Sequence, residues 1–341
     1  MQLSCIYAGN RSLPNGAALI ESRRILMMRT IALNAGSFAK TFAWILTLAV
    51  GVVVPGAVAA TPSASALPVV VSVLPQKYFV ERIGGARVAV TVMVLPGANP
   101  AVYEPKPQQM TELAGAACYF SIGVPFERVW LPRFQAVNRT LRLVDTGAGI
   151  ARQRMAAHHH EHSAGDSDDH ADHNEAILDP HIWLSPPLVL HQARTIWIAL
   201  SEVDPAHASL YAANFRAFVN EIAELDTRVR DLLAPVGNER AFMVFHPAWG
   251  YFASAYGLEQ WPVELEGKEP KAAELQEIIE RARTRQVRVV FVQPQFAKRS
   301  AETIAQAIGA RLVTLDPLAE AWADNLLQAA AGIRAALLPP T

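Results

Sequence analysis

Past residue 60 the chain alternates between short apolar runs rich in valine and longer stretches whose apolar residues recur every three or four positions. The short runs are Val69–Leu74, Val88–Leu95, Cys118–Ile122, Ala241–Phe245, Val287–Val292 and Arg311–Leu315. Their length and β-branched content are those of strands buried on both faces, and the helical stretches between them predict an α/β protein with largely parallel sheets. Between the third and fourth runs, Tyr211, Phe215, Phe218, Ile222, Leu225, Val229 and Leu232 alternate spacings of four and three, which places all seven on one helix face. Asp204-Pro205 opens this helix and Pro235 closes it. At 1.5 Å per residue it would be roughly 40 Å long. Strand–helix units stand on both sides of it, so the expected architecture is two lobes, each with a mostly parallel sheet flanked by helices, joined by one long rigid helix. The expected boundaries are 68–203 for the N-terminal lobe, 204–235 for the linking helix and 236–341 for the C-terminal lobe.

The first 60 residues read differently. Phe42 to Val54 is an almost unbroken apolar run, preceded by Arg29 and Lys40 and followed by Pro55-Gly56-Ala57-Val58-Ala59. That is the layout of a secretory signal, with cleavage expected after Ala59 or Ala60 and a periplasmic mature protein as the outcome. A transmembrane anchor is the alternative, because the apolar stretch continued to Ala60 approaches spanning length; Pro55 and Gly56, just ahead of the small-residue pattern, favour the signal. Residues 1–27 read as an upstream extension, with Met27 or Met28 starting a leader of ordinary length. Roughly 280 residues then remain, more than one core usually serves. The net charge of −1, with no basic stripe or interleaved aromatic platform, argues against a nucleic-acid partner. Of the two cysteines, Cys5 lies in the leader and Cys118 in the apolar run Ala116–Ile122. No intramolecular disulfide is therefore expected after maturation, and Cys118 reads as a core residue.

From Ala156 to Asn174 the chain carries His158, His159, His160, His162, His170 and His173 among five acidic residues, with almost nothing apolar. Such a segment cannot bury enough surface to fold by itself and reads as a loop. Imidazoles and carboxylates attract borderline divalent ions; a merely solvated polar loop is the plain alternative. Three further residues stand beside prolines just past strands or in a tight turn. His246 follows the run Ala241–Phe245, Asp316 follows Arg311–Leu315, and His181 sits in Asp179-Pro180-His181-Ile182-Trp183. Ligand sites in open α/β sheets form outside the carboxyl ends of strands, and flanking prolines stiffen the turns. Singly, a histidine before proline is an ordinary turn residue and an aspartate after a strand an ordinary helix cap. Taken with the histidine-rich segment, two imidazoles and a carboxylate suit Zn2+, although Mn2+ and Fe2+ accept the same set.

Through these motifs the chain resembles the zinc- and manganese-specific solute-binding proteins of bacterial ABC importers, over essentially the whole stretch from Val69 to Asp316. The resemblance rests on Gly97-Ala98-Asn99-Pro100 running into Tyr103-Glu104-Pro105, on Asp179-Pro180-His181-Ile182-Trp183-Leu184, on Phe245-His246-Pro247-Ala248-Trp249 and on Asp316-Pro317-Leu318. It implies two lobes joined by one long helix, a metal in the cleft between them, a membrane permease as partner, a monomer, and no enzymatic activity. It also implies His181, His246 and Asp316 as metal ligands, His246 marking the zinc type. One position departs: Ala101 stands where the family usually has a histidine. Glu104 and Glu266 are carboxylates that would substitute, each with a plain reading as well, Glu104 at a helix start and Glu266 in a turn. Trp183 and Trp249 read as core or as cleft walls, and Tyr103 as a cleft residue. A zinc hydrolase and a metal buffer without a transporter are the rival functions.

Overall fold

The valine-rich runs become strands of two separate four-stranded sheets in the structure, a computed structural model that describes residues 66–155, 178–264, 269–296 and 299–339. The expected leader, the histidine-rich segment with His158, His159, His160, His162, His170 and His173, and Glu266 lie outside the described residues. The first sheet has β1 (Leu67–Val71), β2 (Val88–Val92), β3 (Cys118–Ser121) and β4 (Arg142–Asp145) in the order β2-β1-β3-β4. The second has β5 (Ala241–Val244), β6 (Glu259–Pro262), β7 (Val289–Val292) and β8 (Arg311–Thr314) in the order β6-β5-β7-β8. Every pairing is parallel. Parallel neighbours need crossovers, supplied by helices α1 (Leu74–Gly84), α2 (Pro107–Ala114) and α3 (Pro125–Val137) in the first lobe. Helix α4 (Pro186–Val203) completes that lobe and α5 (Ala208–Leu233) follows it. The second lobe adds α6 (Gly250–Ala255), α7 (Ala272–Thr284), α8 (Arg299–Ile308) and the closing α9 (Trp322–Leu337).

Both strand orders reverse direction once, between β1 and β3 and again between β5 and β7. Loops leaving the strands on either side of such a reversal diverge and leave a crevice at the carboxyl ends. The two-residue period of a strand sorts the second sheet's faces. Met243, Val290 and Val292 pack with Ile278, Ile279 and Ile304 of α7 and α8, while Phe242, Val244, Val289 and Phe291 join the larger core that holds α5 and α9.

Helix α5 begins at Ala208, four residues later than expected. Asp204 instead ends α4 and precedes a 3-10 turn at Pro205–His207, its carboxylate accepting from Tyr211 Oη at 2.6 Å. The expected apolar face is turned inward: Tyr211, Phe218, Ile222, Leu225 and Val229 are buried, joined by Leu233, and Phe215 and Leu232 are partly buried. Phe218 packs on Phe79 of α1, ring centroids 5.9 Å apart, and on Trp322 of α9 at 6.4 Å. Phe79 meets Trp322 edge-on at 5.0 Å. The linking helix is thus clamped between elements of both halves along its length. A second junction runs through the indoles: Trp183 Nε1 donates to the carbonyl of Pro317, and Trp322 Nε1 donates to the carbonyl of Trp183, both at 2.7 Å. No helix among the described residues is long and apolar enough to cross a membrane.

Candidate metal centre

His246 emerges where β5 runs out at the reversal point of the second sheet. Its backbone is fixed on both sides by Gln293 at the end of β7, whose Oε1 accepts from His246 N–H and whose Nε2 donates to His246 C=O, each at 3.0 Å. The ring stacks on Phe296 with centroids 4.3 Å apart and planes 20° from parallel. Its Nδ1 is hydrogen-bonded to the carboxylate of buried Glu264. Glu264 comes from just past β6, held there by its own N–H donating to the carbonyl of Phe245 at 2.9 Å. Burial pushes the His246 imidazole below its ordinary value, and the Glu264 hydrogen bond opposes that shift.

His181 is built by a different local device. Asp179, buried at 2 % exposure, folds its Oδ1 back to accept from both the His181 backbone N–H at 2.8 Å and the His181 Nδ1 at 2.7 Å. Asp179 is in turn anchored across the cleft, its carbonyl accepting from Tyr251 Oη of α6 at 3.1 Å. Its Oδ2 lies 3.0 Å from where a Cβ on Gly250 would stand. The missing side chain at Gly250 is what lets the first lobe's carboxylate approach the start of α6.

The two imidazoles face each other with centroids 5.3 Å apart and planes at 71°. A carboxylate only accepts, so each Nδ1 carries a proton, and in the neutral form of each ring the lone pair is left on Nε2. The two imidazoles thus meet from the two lobes, each oriented by one carboxylate. Between them opens a cavity of about 280 Å³ lined by His181, His246, Glu264, Gln295, Ala101 and a set of apolar side chains.

The other expected ligands fall elsewhere. Asp316 stands one residue behind the cavity wall formed by Pro317 and Leu318; its Oδ1 accepts from Gln295 Nε2 at 2.7 Å and from Leu318 N–H at 2.9 Å. Glu104 is exposed and outside the cavity lining. Among the described residues no three histidine, cysteine, aspartate or glutamate side chains are gathered closely enough to hold an ion. Trp183 and Trp249 are fully buried, the core reading rather than the cleft wall. Tyr103 is buried and donates to Gln109 at 2.9 Å, away from the imidazoles. Cys118 is a free, buried thiol pushed up to about 11 by burial. Asp179, Glu264, Gln293 and Gln295 are the functional neighbours that the motif reading passed over. Asp179 had a signal, an acid two residues ahead of a histidine in Asp-Pro-His. Glu264 follows β6, and Gln293 and Gln295 both follow β7; these three had none.

Paired parallel sheets with one imidazole from each facing across a cleft are the fold of a two-lobed solute-binding protein. The chain belongs to the family described as zinc-uptake complex component A, periplasmic (ZnuA), whose pattern matches residues 69–332. It is 27 % identical over 267 residues to the high-affinity zinc uptake system protein ZnuA of Yersinia pestis, covering 73 % of this chain and 82 % of that one. It is 26 % identical over 254 residues to the protein of the same name from Bacillus subtilis, covering 74 % and 78 %. Among solved structures, a ZnuA crystal structure superposes with a TM-score of 0.73 at 41 % identity, over 80 % of this chain and all of that one.

Proposed function

We propose that this protein captures a divalent metal ion, zinc, in the periplasm and hands it to the permease of an ABC importer. The single observation that carries the reading is the pair of Nε2 lone pairs, one from each lobe, presented to one cavity by carboxylate-held imidazoles. Neutral imidazole is the ligand zinc prefers among the hard and borderline donors, and a carboxylate on the opposite ring nitrogen raises its basicity. Family membership supports the choice of ion: a ZnuA deletion variant 40 % identical to this chain is a zinc-bound structure. In this reading His181 and His246 are the metal ligands. Asp316, one residue behind the wall, is the carboxylate nearest in sequence logic to a third. Residues 1–60 act as the export leader, and the histidine-rich segment 156–174 collects ions for the cleft. The carboxylates that touch the imidazoles, Asp179 and Glu264, are both engaged in holding rings, which suits binding and release rather than the activation of water.

The test is calorimetric titration of zinc into the wild-type protein and into His181→Ala and His246→Ala. Each substitution is expected to remove high-affinity binding while leaving the circular dichroism spectrum unchanged, because the rings border a cavity rather than fill a core. Undiminished affinity in both variants would overturn the assignment.

A further inference from the structure

His246 and His181 stand on turns of different lobes, and one hydroxyl group joins those turns. From the His246 ring the chain runs a short course: Ala248 N–H donates to His246 C=O at 2.8 Å, Trp249 N–H donates to Gln260 Oε1 at 3.0 Å, and α6 begins at Gly250. Trp249 is fully buried and meets Phe252 edge-on at 5.5 Å, which fixes the start of the helix. Tyr251, five residues past His246, is buried and reaches into the first lobe. There Gln153 and Asp179 face each other in a narrow antiparallel strip, next to the bridge between Arg154 and Leu178. A pair of this kind exchanges two N–H···O=C bonds. One of them is ordinary, Asp179 N–H donating to Gln153 C=O at 2.9 Å. The other is replaced by the tyrosine, whose Oη accepts from Gln153 N–H at 2.9 Å and donates to Asp179 C=O at 3.1 Å. A hydroxyl accepts and donates at once, which a plain phenyl ring does not.

We propose that Tyr251 is a positioning residue of the metal site: its hydroxyl, inserted as a rung between Gln153 and Asp179, holds the two histidine-bearing turns in the one mutual arrangement in which both rings reach the same ion. The proposal rests on His181 and His246 being the metal ligands. Both ends of the rung lead to them. Asp179, whose carbonyl accepts from the tyrosine, is the residue whose carboxylate holds His181 at its backbone N–H and at Nδ1. The strip itself is tied to the first sheet by Arg152, which donates to Ile122 C=O just past β3 at 2.7 Å. Binding constellations work only within about 0.5 Å of the right geometry, so a strut this close to both rings governs affinity. Without the oxygen, Gln153 N–H and Asp179 C=O are left to a water or to each other, and either remedy shifts one turn against the other.

The test compares wild type, Tyr251→Phe and Tyr256→Phe in the full chain. Zinc affinity and release rate are read by competition with a chelator, and stability by urea unfolding of the metal-free proteins. Tyr256 is the control, a buried tyrosine of the same lobe whose hydroxyl donates to Asp226 of α5 at 2.9 Å rather than to the His181 turn. Tyr251→Phe keeps the ring and is expected to weaken zinc binding about five- to tenfold, the worth of roughly one hydrogen bond, and to speed release to the same extent. Tyr256→Phe is expected to lower the urea midpoint while affinity and release stay at wild-type values. Wild-type affinity and release in Tyr251→Phe would overturn the proposal, and so would an equal loss in Tyr256→Phe, which would mark a general loosening of the fold. A His181→Ala protein that holds zinc against the chelator as tightly as wild type would instead overturn the ligand assignment beneath it.

Discussion

Glu264 and Asp179 determine which nitrogen of each imidazole is left to bind, so their effect on metal capture should be separable from any effect on folding. Replacing Glu264 by glutamine keeps the size and removes the charge that fixes the His246 tautomer. Glu264→Gln is expected to weaken zinc binding by about 10- to 100-fold, the usual cost of losing such a partner, with an unaltered circular dichroism spectrum; equal affinity would make Glu264 a packing residue only. A second carboxyl carries a pH signature of its own. Glu127 is buried at 3 % exposure and accepts from Ser72 Oγ and from the backbone N–H groups of Ile122 at 2.9 Å and Gly123 at 2.8 Å. Gly123 reaches this geometry at φ 91°, with Arg152 packed where a Cβ would go. Burial pushes Glu127 up to about 7, against those hydrogen bonds. The folded value lies above the unfolded one, so the protonated acid favours the fold. That contribution is complete below the ordinary glutamate range and erodes as pH rises, reaching zero above about 7. The unfolding free energy of wild type relative to Glu127→Gln, read from urea titrations, should therefore fall between pH 4.5 and pH 8, by an amount on the order of 3 kcal/mol at most. A constant difference would show the carboxyl to be ionised throughout. At this scale the sequence was half legible. His181 and His246 announced themselves by turn and strand-end position, whereas Glu264 and Gln295 meet the site only because β6 and β7 end beside β5.

The most deeply buried helices and strands were the most legible. The seven-residue apolar face of α5 was plain because burial on one side of a helix writes a 3.6-residue period. Strands β4 and β6 were not found, because Arg142-Leu143-Val144-Asp145 and Glu259-Gln260-Trp261-Pro262 are half charged or amide residues and hold no run of apolar residues long enough to stand out. The chamber beside Ala101 was not legible, since its walls come from prolines far apart in the chain, Pro100, Pro125, Pro180 and Pro317. Within α5 the energetic weight is uneven. Phe218, 1 % exposed, touches Phe79 and Trp322 together, whereas Phe215 is partly buried and stacks on Trp197 with centroids 4.8 Å apart. Phe218→Ala is expected to cost about 3–5 kcal/mol, and Phe215→Ala distinctly less, as read by thermal or urea unfolding. Equal losses would mean that α5 is held by α4 alone rather than by both halves.

For the molecule as a whole, the junctions between the halves predict a small response to metal. Tyr251 reaches Asp179, Trp183 reaches Pro317, Trp322 reaches Trp183, and Lys77 of α1 pairs with Glu320. These tie the lobes together on more than one side of α5, so rocking of a few degrees is expected rather than wide closure. Small-angle scattering of metal-free and zinc-loaded protein should give nearly the same radius of gyration, and a marked compaction would show that the stitches open. The division of the imidazoles between the halves has a further consequence. His181 is oriented by Asp179 within the first lobe, and His246 by Glu264 and Gln293 within the second. On the proposed assignment of His181 and His246 as ligands, each lobe carries a finished monodentate claw, and tight capture would exist only while the two claws are held at one spacing. A slight parting of the lobes would dissolve neither claw. It would turn a chelating pair into two independent weak donors and forfeit the effective concentration that makes the second bond nearly free once the first has formed. On that assignment the affinity of the whole would be set by a distance, and a partner that pulled the lobes apart by an ångström or two would empty the cleft without unmaking any part of it.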